Sequence, residues 1–393
     1  MDTSALAHLW PLDPSVTFLN HGSYGACPRP VLEAQERFRH KMEREPVLFL
    51  GRELEARLDE ARSALGAFIG ADSEDLAFVP NATAGTNSVL RSFSFAPDDE
   101  ILVTDHAYNA CRTAVEYVTG RAGARPVVAR VPFPIHDPDV VVDAVLAVVT
   151  ARTRLAVLDH VTSPTGIIFP IERLVAALAA RGVDTLVDGA HAPGMVELDL
   201  RRLGAAYYTG NGHKWLCAPK GCGFLHVRRD RQAGIRPLAI SHGANSPRTD
   251  RSRFLLEFDW AGTHDPSPYL CVLDAIRCMG SLLPGGWPAV RAANRRLALE
   301  ARRTLCAALG VAAPAPESMV GALATVPLPD GEGGPGGRSN APLQRVLFDR
   351  DRIEVPVFTW PAAPKRLIRV SAQLYNRLDQ YEALARALTK ALP

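Results

Sequence analysis

The chain has almost no net charge. Its 44 lysines and arginines meet 42 aspartates and glutamates, leaving a formal +2 over 393 residues. A nucleic-acid-binding or acidic-membrane-binding surface draws on an excess of basic charge, so neither partner is expected and a small, discrete substrate is. The sequence also lacks any uninterrupted apolar run of roughly 18 residues, which argues against a transmembrane helix. Its N-terminus, MDTSALAHLWPLDP, shows no basic start followed by a long apolar stretch, so no signal peptide and a cytoplasmic location are expected. Cysteine is sparse and unpatterned: Cys27, Cys111, Cys217, Cys222, Cys271, Cys278 and Cys306 are odd in number and include no C-x-x-C pair. They read as reduced structural thiols, and no metal site is expected, because no further ligands stand at a suitable spacing. Internal repeats are absent as well.

What is present is ordinary globular material, 47% hydrophobic and 22% charged, and long enough for a main domain and a smaller one. Short apolar runs rich in β-branched residues recur at 76–79, 101–104, 127–131, 155–160, 185–188, 206–209 and 223–227. Stretches with helical spacing of apolar residues, such as 31–44, 52–69 and 171–181, lie between them. This alternation predicts an α/β protein with a mostly parallel seven-stranded sheet, whose ligands gather at the C-terminal ends of the strands. Past residue 250 the texture changes to helices at 269–283 and 287–309, a glycine-rich loop at 330–337, a strand at 344–348 and a final amphipathic helix at 378–392. The expected division is an N-terminal segment 1–17, a large domain 18–255 and a small α+β C-terminal domain 256–393 joined by the N-terminal residues.

Two motifs carry the chemistry. Asp188 ends the apolar run TLVDGAH, and Lys214 follows 26 residues later in Asn211-Gly-His-Lys-Trp, after a second strand-like run. A buried carboxylate and a lysine converging on one crevice is the pair that pyridoxal phosphate requires: the lysine forms the Schiff base, and the acid keeps the pyridine nitrogen protonated so that the ring can accept electrons. A third motif, Pro80-Asn-Ala-Thr-Ala-Gly85, follows a strand and opens a helix, where free backbone N–H groups and the helix dipole favour a phosphate.

The segments DGAHAPG and NGHKWLCAPKGCGFL resemble those of the class V aminotransferase family of fold type I, a resemblance that runs over most of the chain. It implies that Lys214 carries the cofactor, that Asp188 meets the ring nitrogen, and that His191 sits near the ring. It implies too that Asn211, His213, Ala82 and Thr83 bind the phosphate. Tyr108, or else His106, would stack on the pyridine face. Ser163 stands where relatives usually have an asparagine for the phenolic oxygen, and Thr162 could serve instead. Trp260-Ala-Gly-Thr263 is similar to a segment whose threonine reaches the phosphate of a neighbouring subunit, which implies a homodimer with composite sites. Arg369, in Leu367-Ile-Arg-Val-Ser-Ala-Gln-Leu-Tyr-Asn376, would grip the substrate carboxylate with its planar fork. His21 and Tyr24, in the N-terminal LNHGSYG, would touch substrate or simply shape a turn.

The family performs lyase, epimerase and aminotransferase chemistry. A cysteine desulfurase needs a nucleophilic cysteine shortly before the carboxylate-binding arginine, and 352–360, RIEVPVFTW, has none. That segment and LNHGSYG resemble the isopenicillin N epimerase-like subgroup, which includes carbon–sulfur lyases of antibiotic biosynthesis. The leading expectation is a lyase cleaving the β carbon–sulfur bond of an S-substituted cysteine. The alternatives are an epimerase and a decarboxylating oxidase acting on a similar conjugate.

Overall fold

The computed structural model describes residues 3–332 and 341–392. A two-residue strand, β1 (Thr17–Phe18), precedes the seven that build the main sheet. These are β2 (Leu76–Val79), β3 (Glu100–Thr104), β4 (Arg125–Ala129), β5 (Thr153–Asp159), β6 (Asp184–Gly189), β7 (Tyr207–Asn211) and β8 (Gly223–Val227). Their spatial order is β2-β8-β7-β6-β5-β3-β4. Only β8 runs against its neighbours, and the pairs from β7 across to β4 are parallel. Helices cover both faces, so the inner strands are buried almost throughout and read as continuous apolar runs rather than alternating ones. Because β3, β5, β6 and β7 share a direction, Thr104, Asp159, Asp188 and Asn211 all emerge at one edge.

A second, antiparallel sheet orders β11 (Val357–Thr359), β12 (Arg366–Ser371) and β9 (Leu323–Leu328), while β10 (Ile353–Glu354) pairs in parallel with β1. The N-terminal chain is thus stitched into the C-terminal region, and Leu19 packs in one core with Leu305, Val326, Leu347, Ile368 and Tyr381. The 24-residue helix Gly286–Leu309 crosses between packing environments: Val290 lies with Trp10 and Met279, whereas Ala298 to Cys306 enter that core.

The strand expected at 344–348 is a helix, Pro342–Asp351. Pro342 takes the first helical position, where its missing N–H costs nothing, and Leu343 and Leu347, four apart, bury one face while Val346 stays 41% exposed. The apolar triplet 346–348 imitated a strand. Of the loop expected at 330–337, residues 333–337 lie outside the described residues.

Candidate active site

A cavity of about 490 Å³ opens at the strand edge where β5, β6 and β7 end. It is lined by Ser23, Tyr24, Ala82, Thr83, Tyr108, Asp159, Ser163, Asp188, His191, Asn211, His213, Lys214 and Lys220 among others. Ten of the expected residues therefore meet in one space, although they come from segments nearly 200 residues apart.

Lys214 sits in the turn that follows β7. That turn is packed against the N-terminal segment: a Cβ on Gly25, whose φ is +69°, would stand 1.9 Å from the His213 carbonyl oxygen, so only glycine fits there. Lys214 Nζ is 3.3 Å from His191 Nε2. On the other side of that ring, Trp215 Nε1–H donates to His191 Nδ1 at 3.4 Å, which leaves the proton of a neutral imidazole on Nε2, aimed at the lysine. Burial, with Lys214 and Arg369 close by, holds the His191 pKa well below its usual value and keeps the ring neutral. Burial also brings Lys214 down to about 7, helped by the Arg369 charge and opposed by Asp188. A large fraction of this amine is consequently uncharged and nucleophilic near neutrality.

Asp188 is 4% exposed. Its Oδ1 accepts from the Ala190 N–H at 2.9 Å, and its Oδ2 accepts from the Cys111 thiol at 3.0 Å. Tyr108 lies in the same cavity, its phenol pushed above the usual value by burial and by Cys111 and Asp188, so it carries its proton at neutral pH.

At the other end of the cavity the helix Ala82–Ser92 begins. Asn81 caps it, its Oδ1 accepting from the Ala84 N–H at 2.9 Å, and Asn211 Oδ1 accepts from the Ala82 N–H at 2.8 Å. Among the described residues no partner is found for the Thr83 N–H, which leaves it and the Thr83 hydroxyl for an anion. His213 Nδ1–H donates to the Cys222 carbonyl at 3.0 Å, and burial takes its pKa down to about 4. Its other nitrogen can donate to a phosphate only once the ring takes up a proton, which an arriving dianion would favour.

Arg369, on β12, is 2% exposed and pairs with no carboxylate among the described residues. Its guanidinium donates to Ser163, at both the carbonyl and Oγ, and to Ser23 Oγ at 3.3 Å, while Nε has no partner. Burial lowers its pKa to about 10. A buried cation with spare donors, one residue removed from the cavity wall, is suited to a carboxylate brought in from outside.

Three expected positions fall elsewhere. His21 is wholly buried behind the lysine turn, bonded to the Tyr375 hydroxyl at 2.9 Å and the Lys214 carbonyl at 3.0 Å, so it shapes the turn and does not face the cavity. His106 is wholly buried too, between Thr165 Oγ1 and the Val131 carbonyl and ringed by Phe133, Phe169 and Trp360; it does not line the cavity, whereas Tyr108 does. Thr263 is exposed on a separate apolar cavity with Pro80, Ala84 and Leu238. The alternative Thr162 is engaged internally with Thr165 and the Ile167 N–H. Sequence reasoning missed Asp159, Cys111 and Lys220. Asp159 had a visible signal, as an acid ending an apolar strand, whereas the contact of Cys111 with Asp188 spans 77 residues.

The donor set fits pyridoxal phosphate: a depressed lysine, a buried carboxylate, and a helix start with an open N–H share one cavity. The family model for class V aminotransferases matches residues 19–261. Isopenicillin N epimerase of Amycolatopsis lactamdurans is 40% identical over 391 residues, covering 96% of this chain and 95% of that protein. A putative L-cysteine desulfhydrase of Oryza sativa subsp. japonica is 32% identical, covering 96% and 85%. Among solved structures, the cystine C–S lyase C-DES superposes with a TM-score of 0.81 at 23% identity, over 97% of this chain and 99% of that one. A further C-DES structure has glycine covalently linked to its pyridoxal-phosphate cofactor. The chain belongs to the class V aminotransferase family, of fold type I, whose cofactor is pyridoxal 5'-phosphate.

Proposed function

We propose that the enzyme cleaves the β carbon–sulfur bond of an S-substituted cysteine, with Lys214 holding the cofactor, Asp188 at its ring nitrogen and the Thr83 end of the cavity at its phosphate. When bound, the cofactor supplies an electron sink that weakens the bonds at the substrate's α-carbon. Arg369 binds the substrate carboxylate and fixes the amino acid in the cavity. Lys214 Nζ, freed when the substrate's amine takes its place, then removes the α-proton; the neutral His191 orients the amine without competing for charge. Tyr108 Oη, held protonated, is the acid that delivers a proton to the departing sulfur.

The observation carrying this reading is a base near neutrality and a protonated phenol in one cavity whose lining includes no cysteine. Without such a cysteine the sulfur leaves as a thiol and is not taken up by the protein. A cavity of about 490 Å³ leaves room for a substituent on sulfur. A second reading, amino-acid epimerisation, is favoured by the 40% identity to isopenicillin N epimerase. In it Tyr108 returns its proton to the α-carbon instead. The place of Thr263, exposed and outside this chain's own cavity, supports its supply to a second copy's phosphate site in a homodimer.

Incubation with S-alkyl cysteines in deuterated water, followed by mass spectrometry, separates the readings. Pyruvate with free thiol supports the lyase. An inverted, α-deuterated amino acid supports the epimerase, and carbon dioxide with an aldehyde overturns both in favour of an oxidative reaction.

A further inference from the structure

The role just given to Asp188 leaves two buried acids unexplained beside it. Asp159 ends β5 in direct register with Asp188 on β6, so both side chains leave adjacent parallel strands on the same side of the sheet. Each is 4% exposed, and each lines the cavity. Cys111, on the helix Asn109–Ala122, places its thiol 3.0 Å from Asp188 Oδ2 and 3.7 Å from Thr86 Oγ1. No lysine or arginine forms an ion pair with Asp159 or Asp188 among the described residues.

We propose that Cys111 and Asp159 are positioning residues that form a proton-bearing shell around Asp188, supplying hydrogen atoms and no charge, so that Asp188 is the single anion presented to the cofactor's ring nitrogen. The inference rests on the reading of Asp188 as that nitrogen's partner. Two buried carboxylates side by side do not both ionise. Asp188 takes a donor on each oxygen, Ala190 N–H and Cys111 S–H, the pattern that suits the charged form of a carboxylate. Asp159 holds the proton, because burial and the Asp188 charge push its carboxyl well above the usual range. The Cys111 thiol is likewise kept protonated, by burial and then by Asp188. The other titratable and charged groups facing this cluster are Tyr108, Tyr208 and Lys214; both phenols are pushed upward and stay neutral. The thiol on Oδ2 takes up part of the negative charge on that oxygen and fixes the plane in which the carboxylate meets the ring.

The test is the pH midpoint of the cofactor's long-wavelength absorbance in the holoenzyme, compared among wild type, Cys111→Ala, Cys111→Ser and Asp159→Asn. Removing the thiol strengthens the negative field at the ring, so Cys111→Ala should raise the midpoint by about 0.5 to 1 pH unit, while Cys111→Ser, which keeps a donor, should stay near wild type. Asp159→Asn, neutral and still a donor, should also stay near wild type. A fall of the midpoint in Asp159→Asn would mean that Asp159 had been an anion. Equal midpoints in Cys111→Ala and Cys111→Ser would mean that the thiol donates nothing. Either result overturns the proposal while leaving the cofactor site intact. A wild-type protein without the absorbance band would overturn the reading of the site itself.

Discussion

Two arginines in this molecule are equally buried and differently used. Arg62, on the helix Leu54–Ile69, is 1% exposed, and Arg369, on β12, is 2% exposed. Each lies over an aromatic ring, Phe78 and Phe358 respectively, at 5.9 and 5.0 Å. The difference is the carboxylate. Arg62 donates to both oxygens of Asp259 at 2.9 and 2.8 Å and to Asp59 at 3.1 Å, and although burial works against its charge, Asp259 and Asp59 hold its pKa above the usual value. Arg369 has hydroxyl and carbonyl partners only, and its pKa falls to about 10. The counter-ions of Arg62 belong to the fold; Arg369 has none, which on the proposed function leaves its guanidinium for the carboxylate of a substrate.

Three substitutions and titrations can break that contrast. The largest effect is expected on stability from Arg62→Ala, which removes the buried partner bonded to both oxygens of Asp259 and leaves that carboxylate to Arg251 alone; it should cost about 3 kcal/mol, read as a lower denaturation midpoint with substrate KM unchanged in the folded fraction. Next comes Arg369→Ala. It should lower kcat/KM by about 30-fold or more while leaving cofactor affinity and the denaturation midpoint unaffected or slightly improved, since a desolvated charge is removed. If the two variants traded places, with Arg369→Ala unfolding and Arg62→Ala losing substrate, the contrast would be wrong.

The third effect is smaller. Lys214 sits at about 7, below its ordinary value, so its neutral form predominates above that pH. Capture of pyridoxal phosphate by the apoprotein should therefore rise about tenfold per pH unit below 7 and level off above it, as stopped-flow absorbance can show. In Arg369→Ala the curve should move to higher pH, because the neighbouring positive charge that helps depress Lys214 is gone. A curve centred near 10 in the wild-type protein would show that Lys214 is solvated.

Much of this was legible in the sequence because it is local. The strand ending in Asp188 and the turn holding Lys214 are each a short run of residues, and burial on both faces of a parallel sheet writes itself as continuous apolar stretches. What was not legible depends on neighbours distant in the chain. His21 and His106 carry the residue type of a ligand contact, but Tyr375 and Thr165 occupy their ring nitrogens. Asp159 acquires its meaning only from its strand register with Asp188. The helix Pro342–Asp351 was hidden by three consecutive apolar residues, 346–348, and only the spacing of Leu347 from Leu343 records the true period.

On the proposed function Lys214 is the residue that holds the cofactor. Borohydride reduction of the reconstituted holoenzyme, then proteolysis and mass spectrometry, tests it most directly. A single phosphopyridoxyl label is expected on the peptide containing Lys214, with loss of that label in Lys214→Ala. A label on Lys220, which lines the same cavity, or no label at all, would contradict it.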